Sequence, residues 1–476
     1  MIPEAQTLLS FLVSRKGIYS VSAIFDAVVQ ARYTCTIYKQ PHLVIFDVLI
    51  NVYVESGFVS DAVECVRLVR KHGFQVPYES CRRLIDNLMK SRNSSPEATW
   101  AIYLEILDCG FPSNVYVFNK LMHALCKEGK IRVAQLVFDE ISQRGLSPTV
   151  VSYNTLINGY CKIRNLEEGF RLKSVMSKTR IFPDVYTYSV LIDGLCKDCR
   201  LEEAKQLFEE MCERGLVPNG VTFTALIDGQ CKKGKISVAM ELYQKMLGKG
   251  LKPDLITYNT LINGLCIVGD LKEARKLVHE MGKKSLKADK ITYTTLLDGY
   301  CKEGDLESAI ELRKGMISQG IELDTVAFTA LIAGFSKEGR AVDAERTLRE
   351  MLKAGFEPNE VTYTMVIDGF CRKGDIKMGL KLLREMQNSE LKPGVVTYNV
   401  VLDGLCKQGQ MKNASVLLDA MLNLRVVPDD ITYNILLEGH YKHGSTKGSD
   451  KLLSEKGLVS DFASYTTILD GFGKKI

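Results

Sequence analysis

The chain is 476 residues long, 46% hydrophobic and 25% charged, with 62 basic against 57 acidic residues and a formal net charge of +5. The composition is ordinary for a soluble protein, and no run approaches the roughly 18 uninterrupted apolar residues that a membrane span needs. So mild a positive excess excludes no partner class, because a strongly positive groove can sit on a nearly neutral protein; where the lysines fall matters more.

Residues 1–42 show helical apolar spacing without a clear internal match, as expected of an atypical terminal cap. Their opening, MIPEAQTLLSFLVSRKG, has neither the basic n-region of a secretory signal nor an Arg/Ser-rich, acid-poor leader, so it reads as cytosolic or as lacking its leader. Two worn copies of a repeat follow at 43–77 and 78–114, the second lengthened by a loop around Ser94, Ser95 and Pro96. Nine regular repeats of 35 residues then fill 115–429, beginning at Val115, Val150, Val185, Gly220, Leu255, Lys290, Thr325, Glu360 and Val395. A shortened repeat covers 430–461, and a half repeat at 462–476 leaves its apolar stripe uncapped, as expected of a truncated chain.

Each regular repeat reads as two helices. Counting from its first residue, the repeat at Val150 places Tyr153, Leu156, Ile157 and Tyr160 at positions 4, 7, 8 and 11, the i, i+3, i+4, i+7 stripe of an amphipathic helix A. A glycine at position 10 (Gly159, Gly194, Gly229, Gly264, Gly299, Gly334, Gly369, Gly404) costs about 1 kcal/mol against alanine in mid-helix, so close approach of a neighbouring helix is expected there. Glycine at position 15, as at Gly234, Gly304 and Gly374, ends helix A. Helix B follows, as in LEEAKQLFEEMCERG from Leu201, with Ala204, Leu207, Phe208 and Met211 on its apolar side; it stops at Gly215 before Pro218. Neither helix buries its stripe alone. The expected fold is all-α, a right-handed superhelical α-solenoid of helix-turn-helix repeats with a long groove lined by the A helices.

Fourteen cysteines raise the question of disulfides or zinc. Cys126, Cys161, Cys196, Cys231, Cys266, Cys301, Cys371 and Cys406 share one slot, with Ser336 filling the gap, so they are expected as small buried hydrophobes. Cys196 and Cys199 form an isolated C-x-x-C, and His440 and His443 share a helix face without a third ligand; neither is expected to bind metal. The position 4 tyrosines lie within the apolar stripe and are expected in the core.

The phrases VVSYNTLINGYCK from Val150, LITYNTLINGLCI from Leu255 and VVTYNVVLDGLCK from Val395, with helix B endings of the EMLxKG type and a closing KPD, resemble the pentatricopeptide repeat family. The likeness is to its pure 35-residue P-class form and, within that, to the restorer-of-fertility-like group. It covers roughly residues 43–476. The resemblance implies sequence-selective binding of single-stranded RNA, one base per repeat, with positions 5 and 35 choosing the base and position 2 packing on its face. Position 5 is always Asn, Ser or Thr from Val115 onward, and position 35 is Asp or Asn in eight of ten repeats.

Carrying the family's pairing over, Asn154 with Asp184, Asn259 with Asp289, Asn399 with Asp429 and Asn434 with Asp461 imply uracil. Ser189 with Asn219 and Thr329 with Asn359 imply adenine, while Thr224 with Asp254 and Thr294 with Asp324 imply guanine. Asn119 with Thr149 leans to a pyrimidine, and Thr364 with Gly394 is unreadable. The implied RNA, 5′ to 3′, is Y-U-A-G-U-G-A-N-U-U. The upstream pairs, Asp47 with Pro77 and Arg82 with Asn114, depart from the pattern.

Position 2, the base-packing slot, holds Tyr116, Val151, Tyr186, Val221, Ile256, Ile291, Val326, Val361, Val396 and Ile431. Position 13 holds Lys127, Lys162, Lys197, Lys232, Lys302, Lys337, Arg372, Lys407 and Lys442, with Ile267 the exception. Eleven residues of helix bring positions 2 and 13 within about 20° on the helix wheel, which suits a phosphate track, although cations are also favoured at a helix end by its dipole. No cofactor and no catalytic constellation is evident, so the expected action is occupancy of RNA in organellar processing, stability or translation, in the mitochondrion first and the chloroplast second. Other RNA-processing proteins are candidate partners. The rival readings are a protein-binding helical scaffold, which would not require the restricted polar choice at positions 5 and 35, and a nuclease, which would need clustered carboxylates.

Overall fold

The computed structural model describes residues 2–14, 20–32, 41–75, 77–90, 95–108 and 111–443. Among these every regular element is an α-helix, and none is long and apolar enough to cross a membrane. The half repeat 462–476, Asp461 and Ser94 lie outside the described residues. Pro96, expected in a loop, instead opens the helix Pro96–Asp108, where its missing N–H costs nothing, and Ser95 Oγ accepts from the Ala98 amide at 3.2 Å as its cap.

From Val115 the chain repeats one design. Helix A and helix B of the first regular repeat are Val115–Lys127 and Ile131–Gln143, those of the second Val150–Lys162 and Leu166–Lys178. The chain is an all-α helical-repeat solenoid. It divides into two compact bodies, Met1–Gly229 and Gln230–Ile476. In the first, the A helices Val115–Lys127, Val150–Lys162 and Val185–Lys197 pack in succession; in the second, those from Leu255–Ile267 to Asp430–Lys442 do the same. In the repeats beginning at Val115, Val150, Val185, Leu255, Lys290, Thr325, Glu360 and Val395 helix B packs against its own helix A, and the helix B at Ile131–Gln143 also touches the helix A that follows it.

The recurrent glycine and the recurrent cysteine are two sides of one contact. A Cβ on Gly264 would lie 2.5 Å from Cys231 Sγ, and one on Gly299 would lie 2.8 Å from Cys266 Sγ. Position 10 of one repeat therefore rests on position 12 of the repeat before, closer than any side chain permits. Burial pushes the Cys161 thiol up to about 12, as befits a core hydrophobe rather than a reactive thiolate. Cys196 is buried in the same slot, whereas Cys199 is exposed in the turn after its helix. Most position 4 rings are buried, Tyr293 and Tyr433 being half-buried, and the hydroxyls reach helix B: Tyr188 donates to Glu210 at 2.8 Å and Tyr258 to Glu280 at 3.0 Å.

The turn after helix A needs a left-handed residue. Gly304 supplies it at φ 80°, but Arg164 and Cys199 hold the same position at φ 62° and 61°. A side chain there costs about 1–2 kcal/mol relative to glycine, partly offset by glycine's greater unfolded-state entropy. Arg164→Gly and Cys199→Gly are each expected to stabilise the fold by about 1 kcal/mol, seen as a higher urea midpoint. The Arg164–Asp198 pair lost in the first case is long, at 3.9 Å, and its arginine is exposed. Midpoints unchanged or lowered in both variants would contradict this.

Candidate nucleic-acid interface

Position 2 is the second residue of each helix A, and its side chain is apolar yet unburied in all ten repeats from Val115 onward. Exposure runs from 51% at Tyr186 to 66% at Val221, Ile256 and Val396. Isolated exposed apolar residues are ordinary, but the same exposed slot filled by Val, Ile or Tyr ten times in register is not. Tyr116 is further covered by Lys120, whose Nζ lies 4.8 Å from the ring centre.

Position 35 has a structural duty that the sequence reading did not assign. It is the N-cap of the following helix A. Asp184 Oδ1 accepts from the Thr187 amide at 2.9 Å, Asn219 Oδ1 from Thr222 at 3.0 Å, Asp324 Oδ1 from Ala327 at 2.8 Å and Asn359 Oδ1 from Thr362 at 2.9 Å. Thr149 does the same for Ser152. Gly394 has no side chain to offer, and the Glu360 carboxylate accepts from its amide instead, at 2.8 Å. The signature was present in the chain as Asp or Asn placed three residues before Thr, a helix start written in residue types.

Positions 5 and 35 meet where the pair is Asn with Asp. Asn154 Nδ2 donates to Asp184 Oδ1 at 3.0 Å, Asn259 to Asp289 at 3.2 Å and Asn399 to Asp429 at 3.1 Å. Among the described residues each pair leaves one amide N–H and the carboxylate Oδ2 uncommitted, a donor beside an acceptor. Burial pushes the Asp184 carboxyl up, but hydrogen bonds from the Thr187 backbone, the Asn154 amide and the Thr187 hydroxyl outweigh it and hold the group below its ordinary range. Asp289 and Asp429 are lowered in the same way, so these acceptors are ionised at neutral pH.

The other residues at these two positions have different partners. Ser189 Oγ meets Thr222 Oγ1 at 2.7 Å, and Thr222 in turn donates to Asn219. Thr329 turns back to its own helix, donating to the Thr325 carbonyl at 2.7 Å, and Thr364 does likewise to Glu360 at 2.8 Å. Thr224 is half-buried, and Asp254 caps Thr257 at 2.8 Å. Asn434 is exposed, with Asp461 outside the described residues. In the worn repeats, Asp47 accepts from the Ser80 amide at 3.1 Å, Arg82 pairs with Glu79, and Asn114 caps Tyr116 at 2.9 Å.

All nine position 13 cations are exposed, but they are not equivalent. Lys197, Lys302, Arg372, Lys407 and Lys442 pair with an acid four residues earlier at position 9: Asp193, Asp298, Asp368, Asp403 and Glu438, at 2.6–2.8 Å. Lys337 donates to the Lys302 carbonyl at 2.7 Å. Lys127 and Lys162 make no ion pair among the described residues. Exposed pairs of this kind are worth about 0.3–0.5 kcal/mol, so an incoming phosphate competes readily for the cation. The i, i+4 spacing of acid and base was legible in the sequence.

Comparison with known proteins gives these repeats a family. A model described as the PPR repeat family matches 113–162, 148–197, 191–232, 218–267, 253–302, 290–329, 323–372, 361–407 and 393–442, and a PPR repeat model matches 44–74 and 431–455. The putative pentatricopeptide repeat-containing protein At1g09680 of Arabidopsis thaliana is 56% identical over 147 residues, 30% of this chain and 23% of that protein. The Arabidopsis pentatricopeptide repeat-containing protein At2g15630, mitochondrial, is 32% identical over 117 residues, 25% of this chain and 18% of its own length. The matched stretches thus span less than a quarter of either relative. The crystal structure of the pentatricopeptide repeat protein PPR10 from maize shares the fold at 21% identity, with a TM-score of 0.60 over 98% of this chain and 76% of its own. With family models matching well over half of its length, this chain belongs to the PPR repeat family.

Proposed function

We propose that this protein binds single-stranded RNA sequence-selectively, one base per repeat, and acts by occupancy rather than catalysis. The observation that carries the reading is the register of exposed apolar residues at position 2 beside a short polar pair at positions 5 and 35. An apolar platform takes the face of any base, and a donor next to an acceptor discriminates its edge. The exposed cation of position 13 supplies the phosphate contacts, so binding weakens as salt rises. Membership of the PPR repeat family supports the same assignment.

In this reading the chain is a P-class, restorer-of-fertility-like member that selects Y-U-A-G-U-G-A-N-U-U. It works in organellar RNA processing, stability or translation; the mitochondrial relative favours that compartment over the chloroplast. Thr224→Asn is expected to move the preference at the fourth nucleotide from guanine towards uracil. Affinities for two oligonucleotides differing only there measure the change. Equal discrimination by wild type and variant would rule out the base assignment.

A further inference from the structure

We propose that the residue at position 3 of each following repeat is a third specificity-determining group, because its hydroxyl fixes which way the position 5 side chain faces the base. The inference rests on the RNA-reading role proposed above. Thr187 Oγ1 lies 2.6 Å from Asn154 Oδ1 and 2.9 Å from Asp184 Oδ1, Thr292 Oγ1 2.6 Å from Asn259 Oδ1 and 2.8 Å from Asp289 Oδ1, and Thr432 Oγ1 2.7 Å from Asn399 Oδ1 and 2.8 Å from Asp429 Oδ1; the single hydroxyl proton is shared between the two acceptors and leans to the nearer asparagine oxygen. Each of these asparagines also gives an amide N–H to the Asp at position 35. The side chain is therefore gripped at both ends.

The orientation follows from donor counting. An ionised carboxylate only accepts, so the amide must turn its nitrogen to the Asp. The carbonyl then points at the threonine, whose hydroxyl provides the proton it needs. Turning the amide over would set its oxygen 3.0–3.2 Å from a carboxylate oxygen, acceptor against acceptor. Without the hydroxyl the asparagine oxygen would be a buried acceptor with no donor, and the amide would be held by the carboxylate at one end only, free to tilt away from the base. What remains for the base in the native arrangement is one amide N–H beside the carboxylate Oδ2.

Two repeats already lack this threonine, and both show the consequence. Ala327 stands at position 3 after Thr294, and Thr294 Oγ1 is buried with no hydrogen-bond partner. Ser152 stands there after Asn119, but its hydroxyl is engaged by Thr149, accepting from the Thr149 amide at 3.0 Å and lying 3.2 Å from its hydroxyl. Asn119 Oδ1 is likewise buried and unpartnered. In two repeats with no carbonyl at position 5 the threonine still meets that residue: Thr222 meets Ser189 and Thr397 meets Thr364, both at 2.7 Å, whereas Thr362 bonds Asn359 and Thr329 turns to the Thr325 carbonyl.

The test uses the full chain and oligonucleotides based on Y-U-A-G-U-G-A-N-U-U. Wild type is expected to prefer uracil over cytosine at the fifth nucleotide, assigned to the repeat at Leu255. Thr292→Val keeps the side-chain shape and removes the hydroxyl; it is expected to lower that preference at least about threefold, the loss of a single hydrogen bond. The preference at the second nucleotide, assigned to the repeat at Val150, should not move, and Thr292→Ser should retain the fifth. A uniform drop in affinity with the fifth-position ratio intact would show a purely structural cap and overturn the inference. The converse variant, Ala327→Thr, is expected to sharpen guanine selection at the sixth nucleotide, and an unchanged ratio there would count against the inference independently of any folding defect in Thr292→Val. If wild type itself fails to distinguish bases at the fifth nucleotide, the RNA reading fails, and this inference with it.

Discussion

A chain carrying Ile256→Asp, Ile291→Asp and Val361→Asp is expected to fold like wild type and to bind its RNA at least about a hundredfold more weakly. These side chains are 66%, 62% and 54% exposed, so little packing is lost on substitution. Each sits in the first turn of its helix, where an acid is favoured by the helix dipole. In the complex the balance reverses. Covering a half-exposed aliphatic side chain with a base face is worth roughly 1 kcal/mol per repeat, and three repeats give about two orders of magnitude in Kd. The added carboxylates also meet a polyanion. Thermal melting with filter-binding or fluorescence titration separates the two effects, and an affinity within threefold of wild type would remove position 2 from the interface.

The second large effect concerns stability, and it has opposite signs at two helical glycines. Gly264→Ala would place a Cβ 2.5 Å from Cys231 Sγ, 2.7 Å from Cys231 Cβ and 3.0 Å from Ile236 Cδ1. Alanine's helix propensity returns about 1 kcal/mol, but forcing two packed helices apart costs about 1–3 kcal/mol or more. A net destabilisation of about 2 kcal/mol is expected, since the neighbouring Cβ cannot swing aside as a long side chain could. Gly282 lies in the last turn of helix Leu271–Lys283 with nothing within 4 Å of its Cβ position. Gly282→Ala should stabilise by about 0.5–1 kcal/mol. Urea unfolding of the two variants tests the ranking; Gly264→Ala equal to or more stable than Gly282→Ala would refute the close-approach account.

Much of the site is legible in the sequence alone. The period placed position 2 on helix A opposite the apolar stripe, and its exposure at Val151 or Ile431 follows from that phase alone. Three features were less accessible. The cap role of Asp184 or Asn359 was written as Asp/Asn before Thr, but the same residues also answer to the family's base-choosing slot, and one residue serves both. The position 9 acids were visible as i, i+4 partners of the lysines; their effect, dividing the cations into paired and unpaired, emerges only from the ion pairs made. The hydroxyl of position 3 carried no sequence signal for its second bond.

The sequence by itself determined the 35-residue period, the two helices of each repeat, the slots that enter the core and the slots that face outward, because each depends on spacing along one helix. Only the tertiary structure decided how Asn259 is held. Its partners Asp289 and Thr292 lie 30 and 33 residues away, and the distances of 3.2 and 2.6 Å arise from the stacking offset between successive A helices. The same offset decides that Gly264 rests on Cys231. Periodicity fixes which face a residue occupies; contact between repeats sets which atoms on that face have partners and which are left for a ligand.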